Sequence, residues 1–279
     1  MAAPASASAL ISPQELAAIL HQPNVRIVDA TYGQPPSGLG IEKAVHFDID
    51  LIADTAAPQA HTIPSAEVFA EEVGKLGIGN DDTVIVYDQT GMAFAAARVW
   101  WMLRLFGHDN VRVLDGGLPA WRAAGLPLVP KTAAPQPVFF KAHLRPELFK
   151  RREDMLANIT DNSFAVLDAR DPRRFSGQIP EPRPGMASGH IPGSHNAFFG
   201  SLIDPETGRL HNADALRQHF AHEGVPVTGK IACTCGSGVT ACVVALALHE
   251  IGTTDAAIYG GSWSEWATTP GMPVEKDEG

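Results

Sequence analysis

Cysteine is scarce in this sequence, and its few copies lie close together. The chain of 279 residues has three, Cys233, Cys235 and Cys242, which are too near one another to cross-link distant parts of a fold. We therefore expect three free thiols in a reducing compartment, the cytoplasm. No metal site is expected, because this cysteine spacing lacks a nearby pair of histidines that would complete a tetrahedral ligand set.

Long apolar runs and clustered positive charge are also missing. No segment approaches the roughly 18 consecutive apolar residues of a membrane-spanning helix, and the N-terminus has no basic region followed by an apolar stretch. The net charge is −10, and no long Lys/Arg run is present to bind a nucleic-acid backbone or an anionic membrane. We therefore expect neither nucleic acid nor a membrane as a partner.

The sequence does contain an internal repeat, in which the same series of segments occurs twice, about 140 residues apart. Each copy has an apolar run ending at Asp, a second apolar run, an apolar helix-forming segment stopped by Gly, and an apolar run leading into Gly-Gly and Trp. These segments are 25–31, 82–88, 94–107 and 112–121 in the first copy and 164–170, 230–235, 239–252 and 257–266 in the second. Short apolar runs that alternate with helices indicate buried parallel strands. We predict an α/β protein of two tandem domains, each a mainly parallel sheet with helices on both faces.

The segment between the two copies indicates where the domains meet. The stretch from Gly125 to Pro146, GLPLVPKTAAPQPVFFKAHLRP, is rich in Pro and has no helical or strand periodicity. Such a composition is typical of an extended linker between domains. We predict an N-terminal domain over residues 1–135, a linker over 136–146 and a C-terminal domain over 147–279.

Cys235 stands where an α/β fold places its ligands, between a predicted strand and a predicted helix. The loop that follows it comprises Gly236, Ser237, Gly238, Val239 and Thr240. Its glycines allow a tight turn that directs backbone N–H groups at an anion, and the helix N-terminus favours the thiolate. The alternative is a turn cysteine without a role. Cys233 and Cys242 are interpreted as small buried core residues.

The loop sequence separates three kinds of cysteine chemistry. A cysteine phosphatase of this general shape places Arg six residues after the nucleophile to clamp phosphate, and that residue is Ala241. A dithiol oxidoreductase needs a second Cys three residues on, and that residue is Gly238. Sulfur transfer is the chemistry that these residues leave open.

The loop CGSGVTA, residues 235–241, resembles the active-site loop of mercaptopyruvate sulfurtransferases in the tandem rhodanese family. Further segments match the family in order over nearly the whole chain: FDID (47–50), HTIP (61–64), YDQTGMAFAAARVWWMLRLFGH (87–108), LDGGLPAW (114–121), DARDPRRFSGQIPEPR (168–183) and GHIPGS (189–194). In this family the second domain carries the cysteine. The first domain keeps the fold with another residue, often Asp, at the equivalent place, which is Asp88 here.

The resemblance implies an enzyme that works without a cofactor. The thiolate of Cys235 would take the sulfur of 3-mercaptopyruvate, release pyruvate and hold the sulfur as a persulfide. The backbone N–H groups of residues 236–240 would cradle that persulfide. A thiol acceptor such as thioredoxin or a small thiol, or cyanide, would then remove the sulfur.

The resemblance also implies roles for residues outside the loop. Arg174 and Arg183 would bind the carboxylate and ketone of the substrate, for which a guanidinium is better suited than Lys. Ser237, His61 and Asp50 would move the proton that the leaving enolate needs. From the residues alone, the alternative is that the two arginines are surface residues, solvated or paired with an acid such as Glu181. Likewise, His61 and Asp50 can be a satisfied polar group and a helix cap.

Two alternative functions stay open at this point. A thiosulfate:cyanide sulfurtransferase of the same family typically has Arg and Lys where this loop has Gly236 and Ser237, and a dianionic donor benefits from that positive charge. A non-catalytic sulfur carrier or partner-binding module is the other alternative. One segment departs from the family pattern, because GIEKAV (40–45) replaces a Gly/Pro turn that leads towards Asp50.

Overall fold

The computed structural model describes residues 8–32, 38–131 and 134–277, so the predicted outer limits of the domains, residues 1 and 279, lie outside the described residues. The strands of the first half are β1 (Leu10–Ile11), β2 (Val25–Asp29), β3 (Leu39–Gly40), β4 (Val45–His46), β5 (Thr83–Tyr87), β6 (Val111–Leu114) and β7 (Val129–Pro130). Its helices are α1 (Pro13–Ile19), α2 (Ala66–Lys75), α3 (Phe94–Leu105) and α4 (Gly117–Ala123).

The second half repeats this succession of elements. Its strands are β8 (Phe149–Lys150), β9 (Ala165–Asp168), β10 (His195–Asn196), β11 (Ile231–Thr234) and β12 (Ala257–Tyr259). Its helices are α5 (Arg152–Asp161), α6 (Pro172–Phe175), α7 (Ala213–His222), α8 (Ala241–Glu250) and α9 (Ser262–Trp266), with short 3-10 helices at Pro146–Leu148 and Phe199–Leu202.

The two halves form two sheets with one topology. The strand order is β1-β6-β5-β2-β4 in the first sheet and β8-β12-β11-β9-β10 in the second. Every pairing in both sheets is parallel, while β3 and β7 form a separate antiparallel pair. The repeat read from the sequence is therefore a repeat of structure, and the predicted α/β class is confirmed.

Helices cover both faces of each sheet. The evidence is that alternate residues of the central strands lie in different cores, one on each face. In β5, Val84 and Val86 belong to one core, and Ile85 and Tyr87 to another on the opposite face. In β11, Cys233 and Ala232 are divided in the same way. This alternation follows from the period of two residues along a strand.

One of these cores is common to both domains. The apolar helices α3 and α8, one from each half, contribute to the same cluster of buried side chains. All residues of α8 from Ala241 to Leu248 are buried, as predicted for a helix that is apolar on every side. The ring of Phe94 on α3 also meets the ring of Phe199 from the second half edge to face, at 5.1 Å between centroids.

The predicted linker is extended and lies along the first domain. No helix or strand is assigned between residues 134 and 145, but the backbone N–H of Val138 donates to Gly74 O at 3.0 Å and that of His143 to Phe106 O at 2.8 Å. Phe140 is buried in the shared core, whereas Phe139 is 82% exposed. The composition of the segment gave no sign of these contacts, which fix the linker to one domain.

Candidate active site

Cys235 lies at the junction predicted for it, directly after β11 ends at Thr234 and ahead of α8, which begins at Ala241. The residue is buried, with 1% of its surface exposed. Its Sγ accepts a hydrogen bond from the backbone N–H of Gly238 at 3.1 Å. Gly238 has a φ of +79°, which glycine adopts without steric cost. The loop is thus folded so that a main-chain N–H points at the sulfur.

The segment after β12 supports the cysteine loop from another side. The N–H of Cys235 donates to Oγ of Ser262 at 3.3 Å, and the carbonyl of Cys235 accepts from the N–H of Trp263 at 2.9 Å. The hydroxyl of Ser264 donates to the carbonyl of Gly236 at 2.7 Å. The sequence analysis missed both serines, since nothing in the sequence tells which loop a serine after a Gly-Gly turn contacts.

A cavity of about 350 Å³ joins the loop to the two predicted arginines. Its wall is formed by Arg174, Glu181, Pro182, Arg183, Met186, Cys235, Gly236, Ser237, Val239 and Thr240. Ligand pockets range upward from about 300 Å³, so a cavity of this volume is large enough for a small organic acid. Four of the five predicted cradle residues line this wall; the fifth, Gly238, does not line it but donates its N–H to the sulfur.

Arg174 lines the cavity and is also paired with an acid. Its guanidinium donates to both carboxylate oxygens of Glu181. The Glu181 side chain is buried and accepts in addition from Arg170 Nη1 at 2.9 Å, while Arg170 forms a second ion pair with Asp168. Arg174 is therefore paired with Glu181, as the alternative interpretation expected, and also lies in the cavity wall, where its role in substrate binding stays a prediction. Arg173, its neighbour, is exposed and does not line the cavity.

The positive charge of Arg183, unlike that of Arg174, is not paired with a carboxylate of the described residues. The residue is exposed at the cavity wall and makes no ion pair with the residues that the structure describes. Its charge acts on Tyr32 and on His61, where it favours the deprotonated form of each side chain. The Tyr32 ring packs edge to face on the His61 ring at 5.1 Å. Tyr32, which the sequence analysis did not single out, thus joins Arg183 at the edge of the site.

His61 and Asp50 come together although they belong to the first domain. His61 Nε2 lies 3.0 Å from Asp50 Oδ1, with the histidine side chain buried and that of Asp50 54% exposed. Burial lowers the pKa of His61 below its ordinary value, and the charges of Arg98 and Arg183 lower it further. Asp50 and the backbone of Ser237 oppose that shift. His61 is therefore neutral at pH 7 and able to accept or pass on a proton.

The interdomain contact places His61 beside the cysteine loop. The ring lies close enough to the main chain of Ser237 to feel its dipole, although neither ring nitrogen has a hydrogen-bond partner among the described residues. Ser237 also lines the cavity with Cys235. His61 itself has a φ of +61°, an uncommon conformation for a residue with a side chain. The structure thus pairs Asp50 with His61 and brings His61 to the cysteine loop, although neither of the two lines the cavity that contains Cys235.

The other two cysteines have the surroundings of core residues. Cys233 and Cys242 are fully buried, and burial raises the pKa of both thiols, that of Cys242 to about 12. The Cys242 thiol donates to the carbonyl of Gly238 at 3.3 Å. Both side chains are therefore protonated at neutral pH, which agrees with their interpretation as small core residues.

Two further residues near the site have structural surroundings. The His190 ring stacks on Phe175 at 3.8 Å between centroids, and its Nδ1 lies 2.9 Å from the carbonyl of Phe175. Trp263 is buried in the core beneath the second sheet and donates through Nε1 to Ala187 O at 3.0 Å. Neither side chain lines the cavity that contains Cys235.

Asp88 occupies the position in the first domain that corresponds to Cys235. It follows β5 as Cys235 follows β11, and it is buried. Its carboxylate accepts the N–H groups of Thr90, Gly91 and Ala96. The loop of the first domain thus folds around its own carboxylate, and the second domain alone places a thiol at this position.

Two kinds of feature do not occur in the part of the chain that the structure describes. No group of three or more His, Cys, Asp and Glu side chains is arranged to hold a metal ion within residues 8–32, 38–131 and 134–277. Across the same residues, no helix has both the length and the apolar character that crossing a membrane requires.

Comparison with known proteins identifies relatives along nearly the full chain. A profile of the family described as Rhodanese-like domain matches residues 12–124 and 152–269. Human 3-mercaptopyruvate sulfurtransferase is 39% identical over 280 residues, which cover 95% of this chain and 94% of the human protein. The Arabidopsis thaliana protein named thiosulfate/3-mercaptopyruvate sulfurtransferase 1, mitochondrial, is 38% identical over 96% of this chain and 78% of its own length.

A solved structure supports the same relationship in three dimensions. SseA from Escherichia coli, described as a 3-mercaptopyruvate sulfotransferase with the rhodanese fold, superposes with a TM-score of 0.80 at 34% identity. The superposition covers 93% of this chain and 100% of SseA. The similarity therefore includes both domains.

Proposed function

Because the chain belongs to the family of proteins with rhodanese-like domains, we propose that it is a 3-mercaptopyruvate sulfurtransferase whose nucleophile is Cys235. The observation that carries this proposal is the cavity that contains Cys235, Arg174 and Arg183 in one wall. A thiol that receives a main-chain N–H, in one cavity with two guanidinium groups, suits a substrate that has a carboxylate at one end and sulfur at the other.

Substrate binding divides between the two arginines. Arg183 carries a charge that no carboxylate of the described residues neutralises, so it binds the carboxylate of 3-mercaptopyruvate. Arg174, held by the buried Glu181, has a fixed orientation and donates to the ketone oxygen. This arrangement directs the sulfur of the substrate towards Cys235 and requires no metal ion or organic cofactor.

The first chemical step is a displacement at the substrate sulfur. The Cys235 thiolate forms a new S–S bond, the C–S bond of the substrate breaks, and its electron pair leaves with the carbon as the pyruvate enolate. Transfer of the remaining S–H proton to the enolate carbon gives pyruvate and an anionic persulfide. The N–H of Gly238, which is directed at Sγ, stabilises the Cys235 thiolate that makes this attack.

Proton transfer to the enolate is the role proposed for Ser237, His61 and Asp50. His61 is neutral and contacts both the Asp50 carboxylate and the Ser237 main chain, so it can take the persulfide proton and return it through the Ser237 hydroxyl. Asp50 holds the ring and stabilises its transient positive charge.

A thiol acceptor completes the cycle by attacking the outer sulfur of the persulfide. The S–S bond breaks, the acceptor leaves as a persulfide, and Cys235 returns as a thiolate. A small thiol, thioredoxin or cyanide can act in this step, and the cytoplasm is the compartment proposed for it, since all three cysteines are free.

Thiosulfate is the second candidate donor, because the Arabidopsis relative is named for both donors. The cysteine loop of this chain has Gly236 and Ser237, which add no positive charge beside the thiol for a dianion. We therefore propose 3-mercaptopyruvate as the preferred donor. A non-catalytic binding module is disfavoured, because the thiol and both arginines face one cavity.

The test is a single-turnover experiment with reduced protein and each donor separately. We expect 3-mercaptopyruvate to release one pyruvate per chain and to add one sulfur to Cys235, detected by intact and peptide mass. Cys235→Ser should abolish both signals, whereas the matched control Cys242→Ser should keep them. A sulfur adduct formed from thiosulfate alone would favour the second donor, and no adduct from either donor would identify a binding module.

A further inference from the structure

Arg98 is a residue of the first domain that reaches the cysteine loop of the second. It lies on α3 within the apolar segment FAAARVWWMLRL, and it is 1% exposed. An arginine buried to this extent in a core helix requires partners for its charge and for its five N–H donors.

The hydrogen bonds of Arg98 join the two halves of the proposed site. Nη1 donates to the carbonyl of Gly238 at 3.1 Å, and Nη2 donates to the carbonyl of His61 at 2.6 Å. The guanidinium also lies over the Trp101 ring, 4.6 Å from its centroid. One side chain therefore fixes both the residue whose N–H meets the Cys235 sulfur and the residue that contacts Asp50.

Its charge is unpaired, in contrast with that of the other fully buried arginine. Arg170 forms ion pairs with two carboxylates, those of Asp168 and Glu181. Arg98 has no carboxylate within ion-pair distance among the described residues, and its Nε has no hydrogen-bond partner there. A buried cation without a counter-ion is strongly unfavourable, so an anion that forms during the reaction is the partner to look for.

The titratable groups that act on Arg98, or on which it acts, are His61, Cys235 and Cys242. Burial lowers the pKa of Arg98, and the sulfurs of Cys242 and Cys235 oppose that shift. His61 is neutral at pH 7, and Cys242 keeps its proton because its pKa is raised to about 12. The anion available to Arg98 is therefore the sulfur carried by Cys235.

We propose that Arg98 is a positioning residue of the sulfurtransferase reaction, which locks the cysteine loop to the His61 segment and supplies the counter-charge for the anionic sulfur of Cys235. The inference rests on the proposed function. It adds that the first domain contributes a buried cation to the thiolate and persulfide states. Arg98 touches neither substrate nor acceptor, so its effect falls on the reactivity of sulfur rather than on substrate binding.

The experiment compares Arg98→Met, Arg98→Lys and the matched control Arg104→Met. Arg104 lies on the same helix, donates across the domains to Thr254 O at 2.9 Å and packs on Trp100 at 4.8 Å, but it has no contact with the cysteine loop. Iodoacetamide alkylation of Cys235 is followed against pH, together with kcat and KM for 3-mercaptopyruvate and the amount of persulfide.

For Arg98→Met we expect alkylation to require a higher pH and kcat to fall by about tenfold or more, with KM changed less than about threefold. Arg98→Lys keeps the charge but not the forked geometry, so its alkylation profile should stay near that of the wild type while kcat falls. Arg104→Met should match the wild type in every measurement. A folded Arg98→Met protein with the wild-type profile and kcat overturns the proposal, and so does an Arg104→Met protein that behaves like Arg98→Met.

Two outcomes need a second measurement. If Arg98→Met does not fold, Arg98→Lys decides, because an alkylation profile shifted despite the retained charge contradicts the proposal. If neither variant folds, thermal unfolding of the wild type is compared with Cys235→Ser from pH 6 to 9. A thiolate paired with Arg98 stabilises the wild type increasingly as the pH rises, whereas parallel curves contradict the pairing. Failure of the proposed function can be told apart from failure of the Arg98 proposal. In the first case the wild-type protein forms no persulfide, and the alkylation profiles still test Arg98.

Discussion

Nε2 of His61 lies 3.0 Å from Oδ1 of Asp50, with the ring buried and the carboxylate largely in solvent. The contact forms even though residues 40–45, which lead towards Asp50, lack the Gly/Pro turn of the family pattern. The loop between the two residues places them together, so the altered turn does not separate them.

The pH dependence of pyruvate release should report this pair. Burial lowers the pKa of His61, so the neutral ring persists below the ordinary value of about 6.5. We expect the rate to stay constant as the pH falls from 7.5 through 6.5 and to decline only at lower pH. Asp50 raises the pKa of His61, so Asp50→Asn should move that decline to still lower pH. His61→Asn should lower kcat by about a hundredfold. An acidic limb centred above 6.5 in the wild type would contradict this assignment.

The two arginines should differ in their effect on substrate binding. Arg183 has no carboxylate partner among the described residues, whereas Arg174 is paired with Glu181. We therefore expect Arg183→Met to raise KM for 3-mercaptopyruvate by about tenfold or more, and Arg174→Met to lower kcat as well as raising KM. Steady-state kinetics of both variants measure the difference, and Arg173→Met, exposed beside Arg174, is the control. Equal KM values for wild type and Arg183→Met would remove Arg183 from the site.

Glu181 should matter more for stability than a surface acid. Its carboxylate is buried between Arg170 and Arg174, so Glu181→Gln leaves both guanidinium groups short of negative charge. We expect a loss of about 3 kcal/mol in the free energy of unfolding, measured by urea titration. Glu153→Gln, which removes an exposed partner of Arg152, should leave the midpoint unchanged. A similar midpoint for both variants would show that the buried network contributes little.

Donor preference should respond to charge in the cysteine loop. The double variant Gly236→Arg and Ser237→Lys places two cations beside the thiol, and an added Cβ at Gly236 meets only Arg174 Nη2, at 3.5 Å. We expect the ratio of kcat/KM for thiosulfate to that for 3-mercaptopyruvate to rise by about tenfold or more. Gly236→Ala with Ser237→Ala controls for lost flexibility and lost hydroxyl. A ratio that changes equally in both double variants would mean that charge does not select the donor.

The main elements of the fold could be predicted from the sequence because buried parallel strands and core helices leave apolar runs of distinct length. The runs ending at Asp29 and Asp168 became equivalent strands of the two sheets. Cys235 was identified from its place between such a strand and a helix. Each of these features is defined by a short continuous segment, so it can be predicted from the sequence alone.

The rest of the site depends on contacts between distant segments, which no local pattern encodes. Arg98 lies in a run that is otherwise apolar, and its acceptors are the carbonyls of His61 and Gly238, which any residue type provides. Glu181 was interpreted as a surface partner of arginine, but packing around Arg170 buries it. Only the assembled domains define these environments.

The shared core between α3 and α8 determines how the enzyme can move. Many two-domain enzymes close around their substrate by a hinge rotation of one domain. Here such a rotation would separate side chains that pack in one continuous core. The linker, bound along the first domain through Val138 and His143, adds a second restraint. The domains therefore keep their mutual orientation, and the cavity at Cys235 keeps its shape through the reaction cycle.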